Sequence, residues 1–193
     1  MEYTWHYPSP LGAILLAGTD RALTGLWFEG QRRFGAGLQT AHEEKRTPVF
    51  EETARWLDTY FSGREPDFAP PIQMAGTPFQ RRVWEILMTI PYGSTMSYAA
   101  IAEILSAQKG SARAVGGAVG RNMISILIPC HRVVGSNGSL TGYAGGIDRK
   151  RALLRLRAHE CLGVPVVIGN SFRTHHLRAH HVAALLFAEE AER

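Results

Sequence analysis

Cysteine is scarce in this 193-residue chain, which holds two, Cys130 and Cys161. Neither sits in a C-x-x-C pair, so a zinc ribbon, a thioredoxin-type redox motif and a disulfide-stapled scaffold are excluded, and reduced thiols are expected. Long apolar runs are also missing. No stretch approaches the roughly 18 residues of a membrane-spanning helix, and the opening Met-Glu-Tyr-Thr-Trp lacks the basic and then apolar regions of a secretory signal. A cytoplasmic protein with no membrane partner is expected. No internal repeat is present, which removes solenoids and propellers. What remains, with 45% hydrophobic and 20% charged residues, is enough apolar material for one generous core or two small domains.

Acidic residues are missing from one stretch in particular. Residues 77–157 carry eleven basic and three acidic side chains, whereas residues 1–76 carry seven and ten. A bias of that kind describes either a solvated basic face or a surface for a polyanion, with nucleic acid the leading candidate.

The N-terminal part reads as short strands at Tyr3–Tyr7, Ala13–Ala17 and Ala22–Phe28, punctuated by Pro8-Ser9-Pro10-Leu11-Gly12, Gly18, Asp20, Gly25 and Gly30 as antiparallel hairpins would be. Residues 31–46 are polar and glycine-bearing, as a mobile connection would be. Thr47-Pro48 then opens a helix with a capping residue and a proline at its first position, followed by Glu51 and Glu52. Trp56, Leu57, Tyr60 and Phe61 recur at helical spacing and read as core. Residues 64–76, with Pro66, Pro70, Pro71 and Gly76, read as a linker.

A second domain starts at Thr77-Pro78-Phe79-Gln80, which has the form of a capping box. Phe79, Val83, Ile86, Leu87 and Ile90 form an apolar stripe, with Arg81 and Arg82 towards solvent. Ser97 caps a further helix that buries Ile101, Ile104 and Leu105. Lys109-Gly110 turns the chain into Ser111, and a helix follows through Ala112–Gly120. Helix, short turn and helix is the outline of a helix-turn-helix. Its second helix contains adjacent Gly116 and Gly117, each costing about 1 kcal/mol relative to alanine. Tight core packing and close approach to another backbone explain that cost equally well. Ile124, Ile126, Leu127 and Ile128 read as an extended run leading to Cys130. Gly135–Gly146 reads as a flexible loop lining a site, and Asp148 as the cap of a last helix from Arg149 to about Ala158.

Cys130 lies between Pro129 and His131, with Arg132 next. A lone cysteine is more often inert packing than chemistry, while an adjacent imidazole and nearby positive charge favour thiolate. The motifs around it tip the balance. Ser9-Pro10-Leu11-Gly12, Thr77-Pro78-Phe79-Gln80, Ile90-Pro91-Tyr92-Gly93, Ser97-Tyr98, Arg113-Ala114-Val115-Gly116-Gly117-Ala118, Ile128-Pro129-Cys130-His131-Arg132-Val133 and Gly142-Tyr143-Ala144-Gly145-Gly146 occur together and in order. The chain resembles the O6-alkylguanine-DNA alkyltransferases, densely from Gly76 to about Leu156.

That resemblance implies an α/β N-terminal domain of ribonuclease H-like type, with a small antiparallel sheet and a helix, over residues 1–75. A mainly α winged helix-turn-helix domain would follow over 76–160, and an atypical tail over 161–193. The implied partner is double-stranded DNA containing O6-alkylguanine, with O4-alkylthymine as a further candidate. The protein would act as a monomer without metal or other cofactor, and cooperative assembly along DNA stays open. Cys130 would accept the alkyl group irreversibly, once per molecule. His131 would act as its base through a bridging water, and Asn122 would brace the turn that presents the segment. An alkyl carbon must be displaced in line, for which a thiolate is a far better nucleophile than a hydroxyl.

By the same resemblance Arg113 enters the base stack in place of the flipped nucleotide, and Tyr98 crowds the 3′ phosphate and rotates it. Ala114, Gly116, Gly117 and Ala118 would give the helix a small face for the minor groove, with Arg121 also on DNA. Val133, Val134, Tyr143, Ala144 and Gly145 would line the base pocket.

The chain departs from the family pattern in two places. Ser125 stands where relatives often have proline or alanine, which bears on pocket width. Arg157 stands where the family places a glutamate bonded to the active-site histidine. A cation there would lower the basicity of His131, and Glu160, one turn on, is about 5 Å too far along the helix. Retained but slower transfer is expected. The alternative is an alkyltransferase-like protein that binds the lesion with little or no transfer, against which Cys130 argues. A Cys–His hydrolase would leave the basic segment and the glycine-rich helix unexplained. The tail histidines 175, 176, 180 and 181 lack companion ligands and read as solvated.

Overall fold

The computed structural model describes residues 1–105 and 111–156. Strands β1 (Glu2–Ser9), β2 (Gly12–Gly18) and β3 (Leu23–Phe28) form an antiparallel meander. The β1–β2 turn is closed by Ser9, whose Oγ accepts from Leu11 N at 3.2 Å, and by Gly12 at φ +105°, a conformation that favours glycine. Thr19 closes the next turn, its hydroxyl accepting from Arg21 N and Ala22 N.

A fourth strand, β4 (His42–Glu44), lies in the stretch read as a mobile connection and pairs in parallel with β1, giving the order β3-β2-β1-β4. The sheet is therefore mixed rather than wholly antiparallel. The chain crosses from β3 to the far edge before β4 begins, so β4 runs alongside β1. A buried carboxylate holds the crossing: Glu2 accepts from Gln39 N at 2.7 Å and from Thr24 Oγ1 at 2.8 Å. All three β4 residues are exposed and polar, as a charged edge strand is.

Helix α1 (Pro48–Phe61) starts where Thr47 accepts from Phe50 N, and it buries Val49, Phe50, Trp56, Leu57 and Tyr60. Helix α2 (Pro78–Met88) opens with the predicted capping box between Thr77 and Gln80. Ser97 caps α3 (Tyr98–Ile104) and Ser111 caps α4 (Ala112–Val119), the two helices of the helix-turn-helix. The turn expected at Lys109-Gly110 lies outside the described residues. Ile101 and Leu105 are buried as expected, but Ile104 is 47% exposed, because it falls on the outer face of a helix only two turns long.

Two further expectations change. Residues 124–128 are not extended but fold into a tight turn, with Ile128 N donating to Ile124 O at 3.1 Å and Ile126 at φ +70°. The last helix, α5 (Ile147–Arg155), is capped by Gly146 without a side chain, so Asp148 lies in its first turn and pairs with Arg151 at 2.8 Å. A carboxylate there still suits the positive helix end. A short parallel pair, β5 (Met96–Ser97) with β6 (Val133–Val134), is the sheet component of the second domain among the described residues.

One apolar cluster runs through both halves, from Ile14, Leu16 and Leu57 to Leu87, Val115 and Leu153. Arg149 adds polar ties, donating to Leu11 O at 2.9 Å, Glu29 O at 3.1 Å and Gly145 O at 3.3 Å. A flexible cation fixed by three carbonyls locks α5 to the turns of the sheet. Among the described residues no helix is long and apolar enough to cross a membrane.

Candidate active site

The turn that carries Cys130 grows out of the sheet. Leu26 N donates to Met123 O at 2.8 Å and Ser125 N to Leu26 O at 3.0 Å, so β3 acquires a partner from the second domain. Asn122 closes the turn from inside: its Oδ1 accepts from Ile124 N at 2.9 Å, and its Nδ2 lies 3.0 Å from Ile128 O, 3.2 Å from Ile124 O and 3.0 Å from Cys130 Sγ. One amide thus satisfies the turn backbone and addresses the sulfur. Cys130, His131 and Arg132 follow as a single 3₁₀ turn and are all buried.

The electrostatics of the thiol differ from those expected from its neighbours in sequence. Cys130 is 4% exposed, and burial pushes its thiol up from the ordinary value. The Asn122 hydrogen bond opposes that most, and the charge of Lys150 next. Arg132, expected to supply the positive charge, instead donates to Ile90 O at 2.6 Å with its guanidinium over the Tyr92 ring. A nearby cation is Lys150 on α5, which the sequence reading did not single out. It is fully buried, and its Nζ donates to Val133 O at 2.6 Å and Thr141 O at 2.7 Å.

His131 is fully buried, and its Nε2 is hydrogen-bonded at 2.9 Å to the hydroxyl of Tyr60 on α1. Tyr60 read only as core, because an aromatic at helical spacing gives no sign of what its hydroxyl meets. The N-terminal domain thus reaches the histidine through the Tyr60 side chain. Arg157 and Glu160, the positions weighed for a relay, lie outside the described residues.

The pocket residues gather around this centre. Val133 and Val134 are buried, Ser125 is buried in the turn, and the Tyr143 ring meets the His131 ring edge-on at 6.4 Å. Burial pushes the Tyr143 phenol well above its ordinary range. A Cβ on Gly145 would fall 2.6 Å from the Tyr143 ring, so only glycine fits. Ala144 O accepts from Arg32 N at 3.0 Å, fixing the loop to the N-terminal domain.

The residues assigned to DNA sit on and beside α4. Arg113 and Ala114 are exposed near its start, and Gly116 and Gly117 are half-buried. Ala118 does not share this face: it is 2% exposed, and its carbonyl accepts from Trp84 Nε1 at 3.0 Å, tying α4 to α2. Arg121 is exposed and folds back to donate to Gly117 O at 2.9 Å. The Tyr98 ring lies beside Gly116, where a Cβ would be 3.9 Å away, and its hydroxyl donates to Thr141 O at 3.2 Å and Gly142 O at 3.3 Å. Tyr98 therefore spans from the glycine-bearing helix to the glycine loop.

These features define a class: a helix-turn-helix protein whose glycine-bearing second helix adjoins a buried, cysteine-centred site. The chain belongs to the O6-methylguanine DNA methyltransferase family. The family's ribonuclease-like domain matches residues 3–74 and its DNA-binding domain residues 78–158. The chain is 46% identical over 154 residues to the methylated-DNA–protein-cysteine methyltransferase of Mycobacterium leprae, spanning 80% of this chain and 91% of that protein. It is 46% identical over 149 residues to the Methanosarcina barkeri protein of the same name, spanning 77% and 92%. In structure it is similar to Mycobacterium tuberculosis OGT crystallised in complex with DNA, with a TM-score of 0.71 and 44% identity, covering 82% of this chain and 92% of that one.

Proposed function

We infer that this protein repairs O6-alkylguanine in double-stranded DNA by transferring the alkyl group to Cys130. The observation that carries this reading is the Cys130 thiol set 3.0 Å from Asn122 Nδ2, in a turn of the same domain that holds the helix-turn-helix. In the reaction the Cys130 thiolate forms a bond to the alkyl carbon. The carbon–O6 bond breaks, and its electron pair leaves on the guanine. The thiol proton is taken up on the His131 side, and the leaving guanine is protonated as it reverts to its keto form. The thioether product has no acyl bond for water to cleave, so each molecule acts once.

The target base must leave the duplex, at a cost of a few kcal/mol. Arg113, exposed near the α4 N-terminus, is suited to fill the vacated stack, and Ala114, Gly116 and Gly117 to let the helix approach the minor groove. Arg121 contributes from just past the C-terminal end of that helix. Tyr98 rotates the nucleotide, and Val133, Val134, Tyr143, Ala144, Gly145 and Ser125 form the base pocket. The protein works in the cytoplasm as a monomer, O4-alkylthymine is a second substrate, and the chain divides into functional parts at residues 75/76 and 160/161.

The test is intact-mass analysis after incubation with a duplex containing O6-methylguanine. One methyl group per molecule, mapped to Cys130, is the expected result. Tight binding without a mass change overturns transfer in favour of lesion binding, and more than one equivalent repaired per protein overturns the single-turnover mechanism.

A further inference from the structure

The Ser9-Pro10-Leu11-Gly12 turn takes no part in the chemistry assigned above, yet it is bonded to the helix that follows the base pocket. Ser9 Oγ accepts from Leu11 N at 3.2 Å and shapes the turn, and Leu11 O accepts from Arg149 Nε on α5 at 2.9 Å. The same guanidinium donates through Nη2 to Glu29 O at 3.1 Å and through Nη1 to Gly145 O at 3.3 Å. Its Cζ lies 4.9 Å from the centroid of the buried Phe28 ring, whose π face attracts a cation. The Glu29 carboxylate is not its partner, since that group lies 3.5 Å from His6 Nε2. A planar fork of donors is what lets one side chain meet carbonyls from separate segments at once.

Glycines from two separate motifs meet at this contact. Gly12 stands at φ +105°, and a Cβ on it would come within 3.1 Å of Arg149 Nη2. A Cβ on Gly145 would fall 2.6 Å from the Tyr143 ring and 3.4 Å from the Phe28 ring. The pocket turn is thus pressed onto the end of β3 with no room for a side chain between them. Gly146 N closes this turn by donating to Tyr143 O at 3.1 Å, and Ala144 O accepts from Arg32 N at 3.0 Å. Tyr143 in its turn meets the His131 ring. The N-terminal domain therefore supports the base pocket from behind, at Leu11, Phe28, Glu29 and Arg32.

We propose that Arg149 is a positioning residue for alkyl transfer: its guanidinium clamps the Tyr143-Ala144-Gly145 turn of the base pocket onto the β1–β2 turn and the end of β3. This rests on Cys130 being the acceptor and on the target base lodging beside Tyr143. The clamp governs where the base sits, whereas the thiol is held separately by Asn122. Its loss loosens the pocket and leaves the nucleophile as it was. The Ser-Pro-Leu-Gly turn is then the fixed end of that clamp, which gives the N-terminal domain a part in substrate binding.

Arg149→Met keeps an apolar stem on Phe28 and removes every donor, and Arg149→Lys keeps the charge on a single nitrogen. Single-turnover transfer from the free O6-methylguanine base separates pocket from chemistry. In Arg149→Met the half-saturating concentration of base should rise about tenfold or more, with the rate at saturation within about threefold of the native rate. Arg149→Lys should recover little of that loss, because one ammonium cannot reproduce the fork. Alkylation of Cys130 by a small thiol reagent should run at the native rate in both variants. An unchanged half-saturating concentration in a folded Arg149→Met protein overturns the proposal. So does slowed alkylation by the small reagent, which would place Arg149 on the thiol and not on the base.

A second measurement uses the native chain and covers the case in which the variants do not fold. If the guanidinium holds the pocket turn, the Gly146 amide and the Arg149 Nε–H are released in one opening event. Hydrogen exchange followed by NMR should then give the two groups matching protection, once each is corrected for its intrinsic rate. Protection that is unequal in either direction overturns the proposal. Mass mapping of the methyl group reports separately on whether Cys130 is the acceptor, so the two readings fail independently.

Discussion

The Cys130 turn and the α4 helix are neighbours built on opposite terms. In the turn, Asn122 satisfies the backbone of Ile124 and Ile128 and reaches the sulfur, with His131, Arg132 and Lys150 buried behind it. On α4, Arg113 and Ala114 are bare and the glycines leave the Tyr98 ring beside the helix backbone. The first region is preorganised, so its geometry survives without a partner. The second is unfinished, which is what a surface awaiting a ligand looks like. Substitutions in the turn should therefore act on stability and chemistry together, and those on α4 on the use of duplex alone.

The largest effect should come from Cys130→Ala, which removes the nucleophile: transfer should vanish in a mass assay while duplex binding persists. Residual transfer would place the acceptor elsewhere. Asn122→Ala should come next, since it strands buried backbone groups and the sulfur. A loss of roughly 2–4 kcal/mol in denaturant unfolding is expected, with transfer slowed by about a hundredfold or more. A stable variant with slow transfer would show that the brace serves chemistry alone.

Arg113→Ala should slow repair of duplex by about tenfold or more, leave transfer from the free modified base unchanged, and alter stability by under about 0.5 kcal/mol. A loss with the free base as well would break the contrast, because it would place Arg113 in the chemistry. Tyr60→Phe removes one hydroxyl from His131 Nε2 and should cost about 1 kcal/mol of stability. Its transfer rate should fall a few-fold. The smallest effect is one of conditions. Burial holds the Cys130 thiol above the ordinary value of 9.0, so the thiolate fraction in the DNA-free protein is still rising past that pH. Alkylation of Cys130 by a small thiol reagent should keep accelerating there, and a plateau below pH 9 would show that the surrounding charges outweigh burial.

Much of the fold is readable residue by residue where the cause is local. Thr47, Thr77 and Ser97 each cap a helix where expected, because a cap is decided by one side chain and the amides a few residues on. Strand β4 was not readable. His42, Glu43 and Glu44 have no apolar alternation, and they pair with β1 because the crossing loop is anchored on Glu2. Residues 124–128 look extended by composition, but Asn122 bends them into a turn. Tyr60 and Lys150 were missed for one reason: a side chain's type reports its usual environment, and both carry a polar group whose partner comes from a distant part of the chain.

The sequence by itself determined the family and its DNA-binding domain, and it singled out Cys130 as the candidate acceptor. Those are matters of residue identity and short-range order. The state of that thiol was decided only by tertiary structure. Read along the chain, Cys130 has His131 and Arg132 beside it and should ionise readily. In the folded protein Arg132 is engaged on Ile90 and burial pushes the thiol up, while the opposing influences are the Asn122 hydrogen bond and the charge of Lys150 on another helix. Desolvation and charge–charge coupling depend on distances through space, which adjacency in sequence does not set.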